Sequence, residues 1–267
     1  MLETMGFDPD RLDRRDVRAI QTLLPTVRTL NRRYLRLRRD GLEHIEAVAS
    51  EPALFVSNHN GGITGPDVAC TLATLWEVLG TDAPLYALAH DFAMRQLEPF
   101  GRLIQRYGAL RACPDNALRA LASGAKVLVY PGGELDAFRR SDRRDEVVFG
   151  DRTGFVRVAQ RAGVPIVPIV AHGAHRSALI LHEGEWLVRV LRLDRVARIR
   201  RFPIALALPW GVAVGPWAPY LPLPFPVRLR VLPPMRFLPH EDAREGRERV
   251  RARMQAALDA LAREARA

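Results

Sequence analysis

Residues 53–79 read ALFVSNHNGGITGPDVACTLATLWEVL. Residues 53–57 are a short apolar run that ends in polar residues, the pattern of a buried strand running into a loop. Residues 67–79 carry apolar side chains at helical spacing. Strand, glycine-bearing loop and helix in that order make one unit of an α/β layer. The same grammar extends in both directions. Residues 84–89, 126–130 (KVLVY), 165–171 (PIVPIVA) and 228–232 read as further strands. Residues 94–107, 115–121 with Asp115 as N-cap, 154–162 closed by Gly163, and about 241–265 read as helices. Upstream, residues 13–37 show an apolar face of Val17, Ile20, Leu24 and Val27 among arginines. Residues 34–38 then look strand-like, before a turn at Asp40-Gly41. The chain is predicted to be an α/β protein: a single domain over residues 38–267, with a central, mostly parallel sheet flanked by helices. Residues 1–37 are predicted to form a basic, amphipathic N-terminal helical extension.

With 48% apolar residues in 267, the chain can bury a sizeable core, which excludes a disordered class. Two cysteines exclude a disulfide framework, a four-cysteine zinc site and an iron–sulfur cluster. Forty basic residues against thirty acidic ones give a net charge of +10, and Lys126 is the one lysine. Arginine forks carboxylates and phosphates, so an anionic partner is expected. No nucleic-acid module or stacking pattern is present, which turns the expectation toward an anionic membrane surface or a phosphorylated molecule. Residues 202–227 form a charge-free run of 26, long enough to span a bilayer, but the run holds seven prolines. Its longest proline-free stretch has six residues, so a spanning helix is excluded. The N-terminus lacks the apolar core of a secretory signal. A cytoplasmic protein, peripheral to the inner face of the membrane, is expected. Its docking surface would comprise a basic helix over residues 186–201 and the aromatic residues Trp210, Trp217, Tyr220 and Phe225.

Two clusters carry chemistry. Ser57-Asn58-His59-Asn60-Gly61-Gly62 stands at a strand's C-terminal end, where open α/β sheets place ligands. Asp67 is near enough to hold one imidazole nitrogen of His59 and fix its tautomer, as a carboxylate does for a catalytic base. Tyr130-Pro131-Gly132-Gly133-Glu134, with Arg139 beyond, stands at a second strand end. A glycine pair beside a carboxylate and a guanidinium suits a polar head group. His172, His175 and His182 invite a metal reading, but they lie along a strand end and its loop and lack a ligand set with supporting partners. No metal is expected, and one polar contact near the site is expected for His172 or His175. Serine-elbow, dinucleotide and P-loop signatures are missing.

These clusters, with Phe100-Gly101, Arg111 and the run Gly163–Val170 (GVPIVPIV), resemble the glycerolipid acyltransferase superfamily over roughly residues 34–232. That superfamily includes lysophosphatidic-acid and glycerol-3-phosphate acyltransferases. Two features depart from its usual pattern. Seven residues separate His59 from Asp67 where four are usual, and the third block reads P-G-G-E. The P-G-G form, with Arg152-Thr153-Gly154-Phe155 after it, resembles the diacylglycerol-type branch.

The resemblance implies direct transfer of a fatty acyl group to a hydroxyl. The donor would be acyl-CoA or an acyl carrier protein, and no cofactor is needed. Lysophospholipid or glycerol phosphate is the favoured acceptor, with a neutral alcohol as the alternative. His59, oriented by Asp67, would deprotonate the acceptor. Glu134 and Arg139, and more weakly Arg152, would hold its head group. Backbone N–H groups of Gly61 and Gly62, or of Gly132 and Gly133, would stabilise the oxyanion. Water as acceptor (a thioesterase) and a non-catalytic membrane-binding protein are the competing readings.

Overall fold

The computed structural model describes residues 6–193, 200–215 and 220–266. Its centre is a seven-stranded sheet. In chain order the strands are β1 (Arg38–Asp40), β2 (Leu54–Ser57), β3 (Leu85–Ala89), β4 (Ala109–Arg111), β5 (Lys126–Val129), β6 (Ile166–His172) and β10 (Arg228–Val231). Across the sheet they run β1-β10-β6-β2-β5-β3-β4. All pairs are parallel except β10 with β6. β2 and β6 are buried along their whole length, the condition that lets both read as uninterrupted apolar runs. Helices cover both faces. On one face lie α1 (Val17–Arg33) and α3 (Pro66–Leu79), where Ile20, Leu24, Leu75 and Trp76 pack on Phe55 and Leu128. On the other, α5 (Pro114–Ala122), α7 (Gly154–Ala162) and α9 (Ala243–Glu264) bring Ala120, Val156, Val250 and Leu258 onto Val56 and Val127.

The N-terminal helix is therefore a layer of the domain and not an extension from it. Its limits are local. The Asp16 side chain caps it by accepting from Ala19 N–H at 3.0 Å. It ends at Arg33, so the strand expected at residues 34–38 forms instead at Arg38–Asp40. The helix expected over 94–107 is split. A wide turn at Phe92–Gln96 precedes α4 (Glu98–Gln105), and Pro99 sits in the first turn of α4, where its missing N–H does no harm. Pro114 likewise opens α5, so Asp115 lies in the first turn and not at the N-cap.

A second, three-stranded antiparallel sheet was not foreseen. It comprises β7 (Leu179–His182), β8 (Ile204–Ala207) and β9 (Gly211–Val214). The basic helix expected over 186–201 is, among the described residues, α8 (Glu185–Leu191), after which Arg192 turns left-handed at φ 50°. Residues 194–199 of that span, and Trp217, lie outside the described residues. Among the described residues no helix is long and apolar enough to cross a membrane.

Candidate active site

β2 and β5 are parallel neighbours, with Val56 opposite Val129, so the loops that follow them leave the sheet side by side. One loop carries His59 and the other Tyr130 to Glu134. Asn58 stitches the first loop to β6: its amide donates to Ala171 O at 3.0 Å and accepts from Ala171 N–H at 2.8 Å. Asn60 donates to the same carbonyl at 3.1 Å. The His59 N–H donates to Asp136 Oδ2 at 2.6 Å, and the His59 carbonyl accepts from Arg139 Nη1 at 2.9 Å. Its backbone is thus gripped from both sides.

The His59 ring meets Asp67 as the sequence suggested, with Nδ1 to Oδ2 at 2.9 Å. The seven intervening residues pose no obstacle. Gly62–Thr64 forms a single tight turn between left-handed glycines Gly61 and Gly65, which returns the chain to Pro66 at the start of α3. Asp67 is fully buried in the first turn of that helix, where the dipole favours its charge. The same Oδ2 also accepts from Asn60 N–H at 2.9 Å. Burial alone would push the His59 imidazolium down, but the Asp67 charge and hydrogen bond outweigh it and hold His59 above its ordinary value. With Nδ1 committed to Asp67, Nε2 is the nitrogen able to take a proton. The ring lies against Tyr130, centroids 4.7 Å apart.

Arg139 corrects an expectation. It does not face a substrate: its side chain is fully buried and ion-paired to Asp136 at 2.9 Å. Its guanidinium also donates to Asn60 Oδ1 and to the carbonyls of His59, Arg143 and Arg144. A guanidinium so engaged fastens one loop to the other. His175 completes the brace. Nδ1 accepts from Gly61 N–H at 3.4 Å, and Nε2 lies 2.9 Å from Arg139 O, to which it donates. Burial pulls the His175 pKa down to about 3, so it is neutral. Asp136 was missed altogether, although it stands three residues before Arg139. Asn58 and Asn60 were seen but given no role.

Glu134 and Arg152 do come together, at 2.8 Å, on the wall of a cavity of about 1270 Å³. His59, Gly62 and Gly133 line the same cavity. Glu134 Oε2 is buried without a hydrogen-bond partner. Of the four glycines expected to supply an oxyanion donor, Gly61 and Gly133 give their N–H groups to His175 and to Tyr130 O. Gly132 is required by packing, since a Cβ there would collide with Val148 O and Asp136 Cβ. The rest of the cavity is mainly apolar. It extends past Val68, Leu72 and Trp76 of α3 to Phe100 and Ile104 of α4, with Leu23 and Val27 of α1 and Ala87 and Ala109 of β3 and β4. Among the described residues no group of histidine, cysteine and carboxylate side chains could hold a metal.

Known proteins resemble this chain in sequence and in fold. The chain is 28% identical over 221 residues to an uncharacterized protein of Mycobacterium tuberculosis, an alignment covering 80% of this chain and 59% of that one. The chain thus spans about three-fifths of that relative's length. It is 30% identical over 131 residues to phytyl ester synthase 2, chloroplastic, of Arabidopsis thaliana, covering 46% of this chain and 18% of that one. The crystal structure of the 1-acyl-sn-glycerophosphate (LPA) acyltransferase PlsC from Thermotoga maritima superposes with a TM-score of 0.52 at 17% identity. That superposition covers 91% of this chain and 82% of that one, and so shares the fold. The Acyltransferase family model matches residues 36–172, from just before β1 to the end of β6. That match covers just over half of the chain, which belongs to the acyltransferase family.

Proposed function

We propose that the protein moves a fatty acyl group from an acyl thioester to the hydroxyl of a glycerolipid-type acceptor. The observation that carries this is the His59–Asp67 pair at the polar end of the 1270 Å³ apolar cavity. His59 Nε2 takes the acceptor's hydroxyl proton as its oxygen attacks the thioester carbonyl. The tetrahedral oxyanion needs a backbone donor, and of Gly62 and Gly132, whose N–H groups are not given to the partners named above, Gly62 lies on the cavity wall. Collapse expels the thiolate, which takes the proton from the imidazolium. An ester and a free thiol result. Acyl-CoA and acyl carrier protein are both donors of this chemistry.

A specific contact bears on the acceptor. Arg152 is already paired with Glu134, and the second oxygen of Glu134 is buried without a partner. A carboxylate on the cavity wall repels a phosphate and tolerates an uncharged hydroxyl. This supports a neutral lipid alcohol over the lysophospholipid or glycerol phosphate that the motifs favoured. The similarity to a phytyl ester synthase supports the same choice. The test is thiol release from acyl-CoA with each acceptor in turn, with products identified by mass spectrometry. Release that needs no acceptor would make the protein a thioesterase. Preference for glycerol phosphate would overturn the neutral acceptor.

A further inference from the structure

The three-stranded sheet departs from the usual pattern of antiparallel sheets, which pack one face on the core and show a polar one to water. Its inner face carries Ile180, Ala205 and Ala213, directly opposed across the strands and buried. Its outer face carries Leu179, Leu206 and Val212, also directly opposed, and exposed at 45%, 41% and 61%. β8 and β9 are joined through Leu208, Pro209 and Trp210, a hairpin tip where Leu208 and Trp210 are each more than half exposed. An apolar patch of this extent marks an interaction site.

We propose that this outer face docks on a lipid bilayer, with the 208–210 tip seated at the head-group level. Three observations select a bilayer as the occupant. Trp210 at the tip and Trp186 on α8 are the aromatic type that concentrates at membrane interfaces. Arg189 of α8, Arg192 at its C-terminal end and Arg200, four residues before β8, are exposed, as contact with an anionic leaflet requires. The segment leading into the sheet also reaches the cavity: Arg201, three residues before β8, and Phe92 line it, and Phe92 packs with Val188 of α8 and with Phe202. Only this third observation rests on reading the cavity as a lipid site. Docking by this face would let a lipid pass from the leaflet to His59 without crossing water.

The test uses the full chain and vesicles of phosphatidylcholine with a minority of phosphatidylglycerol, without substrate. The protein should co-sediment, and its tryptophan emission should shift to the blue. Leu206→Ser with Val212→Ser, and separately Leu208→Ser with Trp210→Ser, should each weaken binding by about tenfold. Transfer between a soluble short-chain thioester and a soluble alcohol should be unchanged in both. Failure of the wild type to bind, or binding unaltered in both variants, would overturn the proposal. So would a wild-type dimer that these substitutions dissolve, because the face would then belong to a second copy. Vesicle binding by a protein that transfers nothing would sustain the docking face while removing the acyltransfer reading.

Discussion

Asp67 acts on His59 through both charge and position. As the proposed base, His59 works only as neutral imidazole, and its pKa lies above the ordinary value. Activity at limiting substrate should therefore rise with pH through a midpoint above about 6.5. In Asp67→Asn that midpoint should fall and kcat should drop, measured as the pH profile of kcat/KM. An unmoved midpoint would show that the two residues are not coupled. His59→Ala should lose about 10²–10⁴-fold in turnover with little change in Tm. His175 gives a different pH signature. Its folded pKa of about 3 lies below the unfolded value, so the unfolded chain binds the proton first as pH falls. Stability should decline below about pH 6.5, by up to about 1.4 kcal/mol per pH unit from this group. Denaturant titrations should show a shallower decline in His175→Gln, whose amide can still accept and donate. His59 and Asp67 were legible because a base needs a rare residue beside a carboxylate at a strand end. Arg139 was misread because a sequence displays a guanidinium without the carbonyls of Arg143 and Arg144 that fold around it.

At the scale of elements, the loops after β2 and β5 hold each other through the buried Asp136–Arg139 pair. Removing one partner leaves the other charge buried, at a cost of about 3–5 kcal/mol. Arg139→Met should unfold at lower denaturant and lose kcat as the His59 loop slackens, with acceptor KM little altered. Glu134→Gln should do the reverse, raising acceptor KM with stability unchanged. Steady-state kinetics beside denaturation curves separate the two. The parallel strands were legible because strands buried on both faces are apolar runs. The β8–β9 hairpin was hidden for the opposite reason. Its strands have four residues each, too few for a period to emerge, and prolines flank them. Pro99 should have signalled the break before α4, since proline marks a first turn more readily than a helix interior.

For the whole molecule, the proposed function makes the cavity the feature that sets which acyl chains are accepted. It reaches from His59 after β2 to Ala109 on β4, three strand spacings across the sheet, or roughly 14 Å. Ala109→Leu should shorten the preferred chain. Each methylene kept from the cavity forfeits about 0.8 kcal/mol, roughly a fourfold loss in kcat/KM, read from a series of acyl-CoA lengths. A flat response across the series would place the acyl chain elsewhere. The cavity also draws Leu23 and Val27 from α1, so the helix before the matched family region forms part of the wall that defines it. The sheet makes the same point at its other end. β10 inserts between β1 and β6, although it lies far beyond residue 172. A fragment cut to residues 36–172 would bare the long edge of β6, buried along its whole length in the intact fold, an invitation to pair with any strand it meets. The segment that carries the chemistry, produced by itself, should precipitate.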